Sequence, residues 1–349
     1  MITAPLILLT RGIYRVLPTI SLFKQTKPFD QQLISNKIFG AYFTGSNHKK
    51  ISTRDNFYTF LGLRFSNQNV SAEYVELLAK HMSAKNQIPA YFTENMWGDK
   101  IPHYKENGYE IVSSNAIFLI LLEWLSESHN QTAQALFLTA QRAMQYIEQF
   151  IKDDVFFEPD FSCWENTRQP TNMSGLTSSV LVCHAIRSLE MLAMKSGNKT
   201  IQKKCVEKHT RFLKKLRVKL FQTQETIPRM LAVYFNMLQA NFWRSFDQEF
   251  KLDLIPLITA GPIEYPCTWE SWIYGVDDQH TTLIYPWITY FWICILGKKG
   301  KTEMAKEYFD ELWNLHSEPT IYSVYEPETL QPVRRAFLKS EPSHSITLA

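Results

Sequence analysis

Trp164-Glu165, within Phe161-Ser162-Cys163-Trp164-Glu165-Asn166, sets a carboxylic acid beside an indole just ahead of a long apolar run at 174–193. An apolar ring disfavours the charged form of a neighbouring carboxyl, so this pairing suits a general acid. A second pairing stands at Thr53-Arg54-Asp55. There an Arg that donates and an Asp that accepts can together clamp adjacent hydroxyls, although spacing alone equally allows Asp55 to cap a helix and Arg54 to be a surface charge. Glu326, in Tyr325-Glu326-Pro327-Glu328-Thr329, offers another carboxylate, or else a loop charge near Arg334 and Arg335. Cleavage of a glycosidic bond needs two carboxyls, one protonated and one ionised, about 6.5 to 9.5 Å apart for inversion. Trp97, Trp164, Trp269, Trp272 and Trp287 lie in or beside polar loops, where rings stack on sugar faces or fill the core, and Asn115 adds an amide at the head of an apolar run. Asp277 and Asp278, ahead of Tyr285-Pro286-Trp287, bind hydroxyls or cap a helix. Together these side chains point to carbohydrate chemistry.

The elements that must position them alternate in character. Runs at 29–43, 71–84, 131–151, 199–220 and 302–315 carry apolar residues at helical spacing on one side only. Runs at 55–65, 115–125, 174–193, 228–242 and 282–296 are apolar nearly all round, as buried helices are. Ser113 or Ser114 is expected to cap 115–125, Gly297 to end 282–296, and 245–254 to form a short helix. Only the start of a last helix, 343–348, precedes the C-terminus. The order, outer half-polar helix, aromatic loop, inner apolar helix, predicts an all-α ring of six helical hairpins with parallel inner helices. The loops that lead into the inner helices then open at one end, and residues far apart in sequence meet there. Several of those loops exceed about 15 residues, a length that is uncommon unless it serves a function. The alternative is an irregular helical bundle or solenoid without a site, but no clear repeat supports a solenoid.

Composition sets the limits. A chain of 349 residues, 45% hydrophobic and 20% charged, is globular and long enough for a large core. A net charge of +3 is too small to argue for nucleic acid, and the basic run 199–219 is spaced like the solvated face of a helix. Residues 1–28 are expected to be an N-terminal arm and 29–349 a single domain with a short last inner helix. The apolar run 5–9 is broken by Arg11 and Arg15 well short of a membrane span. Five scattered Cys, an odd number, do not suit a disulfide framework and favour a reducing, cytoplasmic compartment. His184, His280 and His344 stand isolated, so no metal site stands out, and twelve Gly without a glycine-rich phosphate loop argue against a nucleotide-binding fold. No cofactor is expected. The expected partner is a carbohydrate, with neither nucleic acid nor membrane.

Thr53-Arg54-Asp55, followed by an apolar helix, an amphipathic helix and Gln87-Ile88-Pro89, resembles the opening of the six-hairpin (α/α)6 toroid glycosidases, above all the glucoamylase-like and glycogen-debranching glucosidases. Trp164-Glu165 in the third lead-in loop and the closing stretch Tyr325-Glu326-Pro327-Glu328-Thr329, then 337–345, resemble two further motifs of that superfamily. The resemblance implies an (α/α)6 toroid acting on an α-linked glucoside or oligosaccharide. It further implies Glu165 as general acid, with Arg54 and Asp55 holding the innermost sugar. Trp97, Asn115, Trp164 and Trp287 complete the expected binding set. One departure matters: the position of the family's general base falls on Ser323, which cannot act as a carboxylate. Glu326 or Glu341 then substitutes, or the chain uses an anionic nucleophile such as phosphate, or catalysis has decayed to sugar binding on the same fold.

Overall fold

A computed structural model describes residues 37–38, 41–42, 50–65, 68–95, 97–106, 109–157, 175–223, 225–238, 251–252, 255–258, 283–315, 324–326 and 329–333. The expected inner helices within this range are α1 (Thr53–Phe65), α3 (Ser113–Ser128), α6 (Leu176–Lys195), α8 (Thr226–Tyr234) and α9 (Pro286–Lys298). Their side chains are buried on nearly every face, as the all-round apolar runs require. The half-polar partners are α2 (Ala72–Lys80), the broken pair α4 (Asn130–Ala135) and α5 (Phe137–Glu148), α7 (Lys199–Gln222) and α10 (Thr302–Leu315).

Among the described residues, five inner helices contact one another in a circuit. Helix α1 packs on α3, α3 on α6, α6 on α8, α8 on α9, and α9 back on α1, while α2, α5, α7 and α10 lie outside against α3, α3 and α6, α6, and α9 respectively. Ser178, Ser179, Cys183 and Ala185 are all buried in α6, and such small side chains let helices approach closely. Helix α6 is the one described helix long and apolar enough to cross a membrane. Its apolar stretch is 83% buried inside the ring, which marks it as core.

The two ends of the ring are built differently. Helix α6 stops at Gly197 (φ 72°), where Asn198 N–H bonds Ala193 O (2.8 Å) and Gly197 N–H bonds Met194 O (3.1 Å). Asn198 then caps α7 through its side chain, which accepts from Ile201 N–H (3.1 Å). Helix α9 ends the same way at Gly300 (φ 72°), three residues beyond the expected Gly297, which lies within the helix. Helix α8 uses Asn236 (φ 57°). These left-handed turns satisfy the last carbonyls and reverse the chain tightly. At the opposite end the lead-in segments are long and carry short antiparallel ladders: β3 (Lys50–Ser52), β4 (Tyr91–Glu94) and β5 (Lys100–His103) form one sheet. Pairs β6–β7 (Lys105–Glu106, Tyr109–Glu110) and β8–β9 (Ile151–Lys152, Val155–Phe156) precede α3 and follow α5.

Two expected helices are corrected. Within 29–43, Lys37 pairs with Tyr42 and Ile38 with Ala41, making the hairpin β1–β2 (Lys37–Ile38, Ala41–Tyr42). The two residues between the strands include Gly40, which two-residue hairpin loops favour over a helix. Within 245–254, Lys251–Leu252 is strand β10, paired with β11 (Ile255–Ile258).

Candidate active site

The Arg54-Asp55 pair owes its position to the strand before it. Ser52 pairs with Tyr91, Thr53 N–H bonds Ala90 O (2.9 Å), and Thr53 Oγ1 donates to Pro89 O (2.7 Å). Ser52 caps α1: its Oγ accepts from Asp55 N–H (3.2 Å), and its carbonyl accepts from Asn56 Nδ2 (2.8 Å). Asp55 is therefore not the cap but the third residue of the capped turn, the place where a carboxylate gains from the helix dipole. Arg54 Nε lies 3.2 Å from Asp55 Oδ1, with the Asp55 side chain 9% and the Arg54 side chain 23% exposed. Behind them Tyr74 is fully buried. Burial pushes its hydroxyl well above the usual phenol range, Thr53 opposes and Asp55 adds to the shift, so Tyr74 stays a neutral wall.

One helical turn further on, Tyr58 meets Trp287 of α9, ring centroids 4.8 Å apart. Trp287 is buried, next to Pro286 in the first turn of its helix. Just ahead of that turn Ile284 exchanges two backbone hydrogen bonds with Tyr325 (3.0 and 2.9 Å). Glu326 follows, half-buried, its N–H bonded to Gln331 O and its carbonyl accepting from Leu330 N–H, both 2.9 Å. The start of α1, the start of α9 and the closing segment are thus brought together at one end of the ring.

The other inner helices add polar groups at that end. Ser113 and Ser114 are buried in the first turn of α3, whose cap position is Val112 with no side-chain cap, so the expected serine cap is corrected. The Asn115 amide is spent on the fold: Oδ1 accepts from Ile88 N–H (2.9 Å), and Nδ2 donates to Asn86 O (2.8 Å) and Ala143 O (3.1 Å). Thr177 and Ser178 open α6 with fully buried hydroxyls that have no hydrogen-bond partner among the described residues, and Thr226 does the same in α8. Glu225 and Arg229, each 4% exposed, flank Thr226. Sequence reading missed this pair. Its signal was a Glu and an Arg four residues apart at the edge of the apolar run Ile227 to Val233, where a buried charge has to be put to use.

Trp97 occupies the tip of the β4–β5 hairpin and is 82% exposed. The hairpin runs outward from the Ser52–Tyr91 pairing, so Trp97 stands roughly 10 Å or more beyond the start of α1, at about 3.3 Å per strand residue. Trp164, Glu165, Trp269, Trp272, Asp277, Asp278, His280, Ser323, Glu341 and His344 lie outside the described residues. Among the described residues no three His, Cys, Asp or Glu gather as metal ligands. His184 stacks on Phe235 (3.7 Å, 17°), and burial, reinforced by the positive surroundings of His209, Arg187, Lys298 and Arg64, pushes its imidazole down to about 3.

The far end of the ring carries charged and aromatic contacts of its own. Arg64 bonds Glu127 through both terminal nitrogens (3.0 and 3.1 Å) and lies 4.7 Å from the Trp124 ring centre, while Lys298 lies 4.4 Å from that of Tyr234.

No protein-family model matches the sequence, and no curated protein matches it either. Solved structures do. A rhamnosidase from Klebsiella oxytoca with rhamnose bound superposes with a TM-score of 0.63 at 11% identity over 95% of this chain, which spans 64% of the length of that enzyme. A GH63 mannosylglycerate hydrolase from Thermus thermophilus in complex with glucose gives 0.61 at 9% identity, covering 92% of this chain and 97% of the hydrolase. A wild-type glycosidase gives 0.61 at 10% identity over 100% and 97%. The circuit of inner helices, the outer layer and these superpositions agree: the chain has the (α/α)6 toroid fold of the six-hairpin glycosidases.

Proposed function

We propose that the chain is a glycoside hydrolase of an α-linked glucoside or short oligosaccharide, with its site at the end of the ring where the inner helices start. The observation that carries this reading is the Arg54-Asp55 pair, fixed by Ser52 and Thr53 in the first turn of α1, beside the Tyr58–Trp287 contact. Arg54 and Asp55 hold the hydroxyls of the sugar at the inner subsite. Glu165, kept protonated by Trp164, donates to the leaving oxygen, and Glu326 activates water from the closing segment. Glu225 and Arg229 extend the polar lining, and Trp97 on its hairpin offers an outer stacking face. No step needs a metal.

A second reading has its own observation. Ser323 occupies the position expected for the base, which suits either phosphorolysis, with phosphate as nucleophile, or a sugar-binding protein without turnover. One experiment separates the three. The protein is incubated with a panel of α-glucosides, with and without phosphate, and free glucose and glucose phosphate are measured. Glucose release that is abolished by Glu165→Gln and by Glu326→Gln supports hydrolysis, and phosphate-dependent sugar phosphate supports phosphorolysis. Calorimetric binding without product leaves only the binding protein, and full turnover by Glu165→Gln removes the assignment.

A further inference from the structure

Helix α7 carries nine Lys and Arg against one acid, Glu207, and the glycosidase reading uses none of them. Its inner face, Cys205, Phe212, Leu216 and Leu220, is buried against the ring. The opposite face presents Lys204, Glu207, Arg211, Lys214, Val218 and Phe221 at alternating spacings of three and four, one straight outward stripe. The helix spans about 36 Å at 1.5 Å per residue. Some of its charge is answered by neighbours: Lys208 pairs with Glu148, Arg211 with Asp154, Lys215 Nζ donates to the Asp153 carbonyl, and Arg217 Nε donates to Met237 O. Lys203, Lys204 and Lys214 are exposed. Val218 and Phe221, 57% and 64% exposed, follow these cations at the C-terminal end of the stripe.

We propose that the outer face of α7 docks on an anionic phospholipid bilayer, with Lys203, Lys204 and Lys214 attracted to the headgroups and Val218 and Phe221 entering the interface. Cations with interleaved exposed apolar side chains are what a membrane-surface helix needs, since headgroups attract the first and the acyl boundary accepts the second. The apolar residues decide against a nucleic acid: a phosphodiester backbone rewards the lysines but gives Phe221 and Val218 nothing. A straight helix on the outer wall also meets a plane more readily than a groove. Because outer helices run antiparallel to inner ones, docking lays the ring on its side and leaves its open end unobstructed. This inference is independent of the glycosidase reading.

The test is co-sedimentation of the full chain with vesicles of phosphatidylcholine alone and with about 30 mol% phosphatidylserine, at low and high salt. Wild type binds the anionic vesicles selectively and is released by salt. The triple variant Lys203→Glu, Lys204→Glu, Lys214→Glu loses at least about 100-fold in vesicle affinity, since each lysine near such a surface is worth roughly fivefold and reversal adds repulsion. Phe221→Ser keeps the charge yet binds severalfold more weakly. Unchanged thermal melts confirm that the variants are folded, as expected for exposed positions. Equal sedimentation with both vesicle types, or a triple variant that still binds, overturns the proposal. So does binding of a short DNA duplex by wild type without any binding to the anionic vesicles.

Discussion

Replacing Asn115 with Ala distinguishes a sugar ligand from a strut. The amide ties the lead-in segment (Ile88 N–H, Asn86 O) and the outer helix α5 (Ala143 O) to the first turn of α3, and its side chain has no exposure. Truncation removes three hydrogen bonds worth about 1 kcal/mol each and strands a buried N–H and two carbonyls, so the expected loss is about 3 to 5 kcal/mol. That is a large share of the roughly 5–15 kcal/mol that holds a native protein together. With an unfolding entropy near 2.1 cal/mol/K per residue, a chain of 349 residues changes by ~0.7 kcal/mol per degree, and the melting temperature falls by ~5 °C. Calorimetric melting and urea titration measure the loss. Isothermal titration of the folded variant with an α-glucoside measures the site, and affinity is expected to stay within about twofold. A variant that melts within about one degree of wild type yet no longer binds sugar refutes the reasoning and returns Asn115 to the binding set.

Arg54→Ala removes charge-assisted hydrogen bonds from a partly exposed position, so sugar affinity drops by roughly 10- to 100-fold with little change in melting, as isothermal titration can check. Arg64→Ala, at the opposite end, loses an exposed ion pair and a cation–π contact, about 1 to 2 kcal/mol of stability in urea, and leaves turnover unchanged. His184 is held neutral down to about 3, whereas in the unfolded chain it protonates near pH 6.5. Its contribution is whole above pH 6.5 and is lost as pH falls from there toward 3, so His184→Phe, which keeps a ring against Phe235, flattens that acid limb of stability against pH. Glu123 runs the other way: burial first, then Glu127, raises its carboxyl, so it costs stability once pH rises above the unfolded carboxylate range. Glu123→Gln is therefore expected to melt higher than wild type at pH 7 and to lose that advantage at pH 4.

The alternation of half-polar and all-round apolar helices was legible because it rests on burial, which periodicity reports directly. The inner runs 55–65, 174–193 and 282–296 appear as α1, α6 and α9 with ends moved by a few residues. The ladders β3–β5 were not legible. Strands of three or four residues, with burial that alternates weakly, leave almost no periodic trace, and β3 pairs with a strand about forty residues away in sequence. At 29–43 the apolar spacing of Leu33, Ile34 and Ile38 suits a helix, but Lys37–Ile38 pairs with Ala41–Tyr42 as a strand instead. Glu225 and Arg229 were not legible because they follow a short lead-in segment without the aromatic and acidic cluster that marks the others. Asn115 is the reverse case: an amide at a helix start looks like a ligand for hydroxyls, and its partners here are on the backbone.

The unequal ends of the ring are the physical reason for proposing the site at one of them. Every described inner helix starts where the lead-in segments arrive, and the starts gather Arg54, Asp55, Ser113, Thr177, Glu225 and Thr226. Backbone N–H groups that a helix cannot use itself point the same way there, and their partial positive charges attract carboxylates such as Asp55 and Glu225. At the other end, tight left-handed turns consume the last carbonyls, and Arg64, Lys195 and Lys298 face the negative ends of their helices. That arrangement neutralises itself and has nothing left to offer a ligand. On the reading proposed above, the grip on a sugar would depend on anchors, Ser52 and Thr53, that are independent of Glu165. If Ser323 does stand where the resemblance puts a general base, Arg54 and Asp55 would still be in place to hold a sugar, so binding and turnover have to be measured separately.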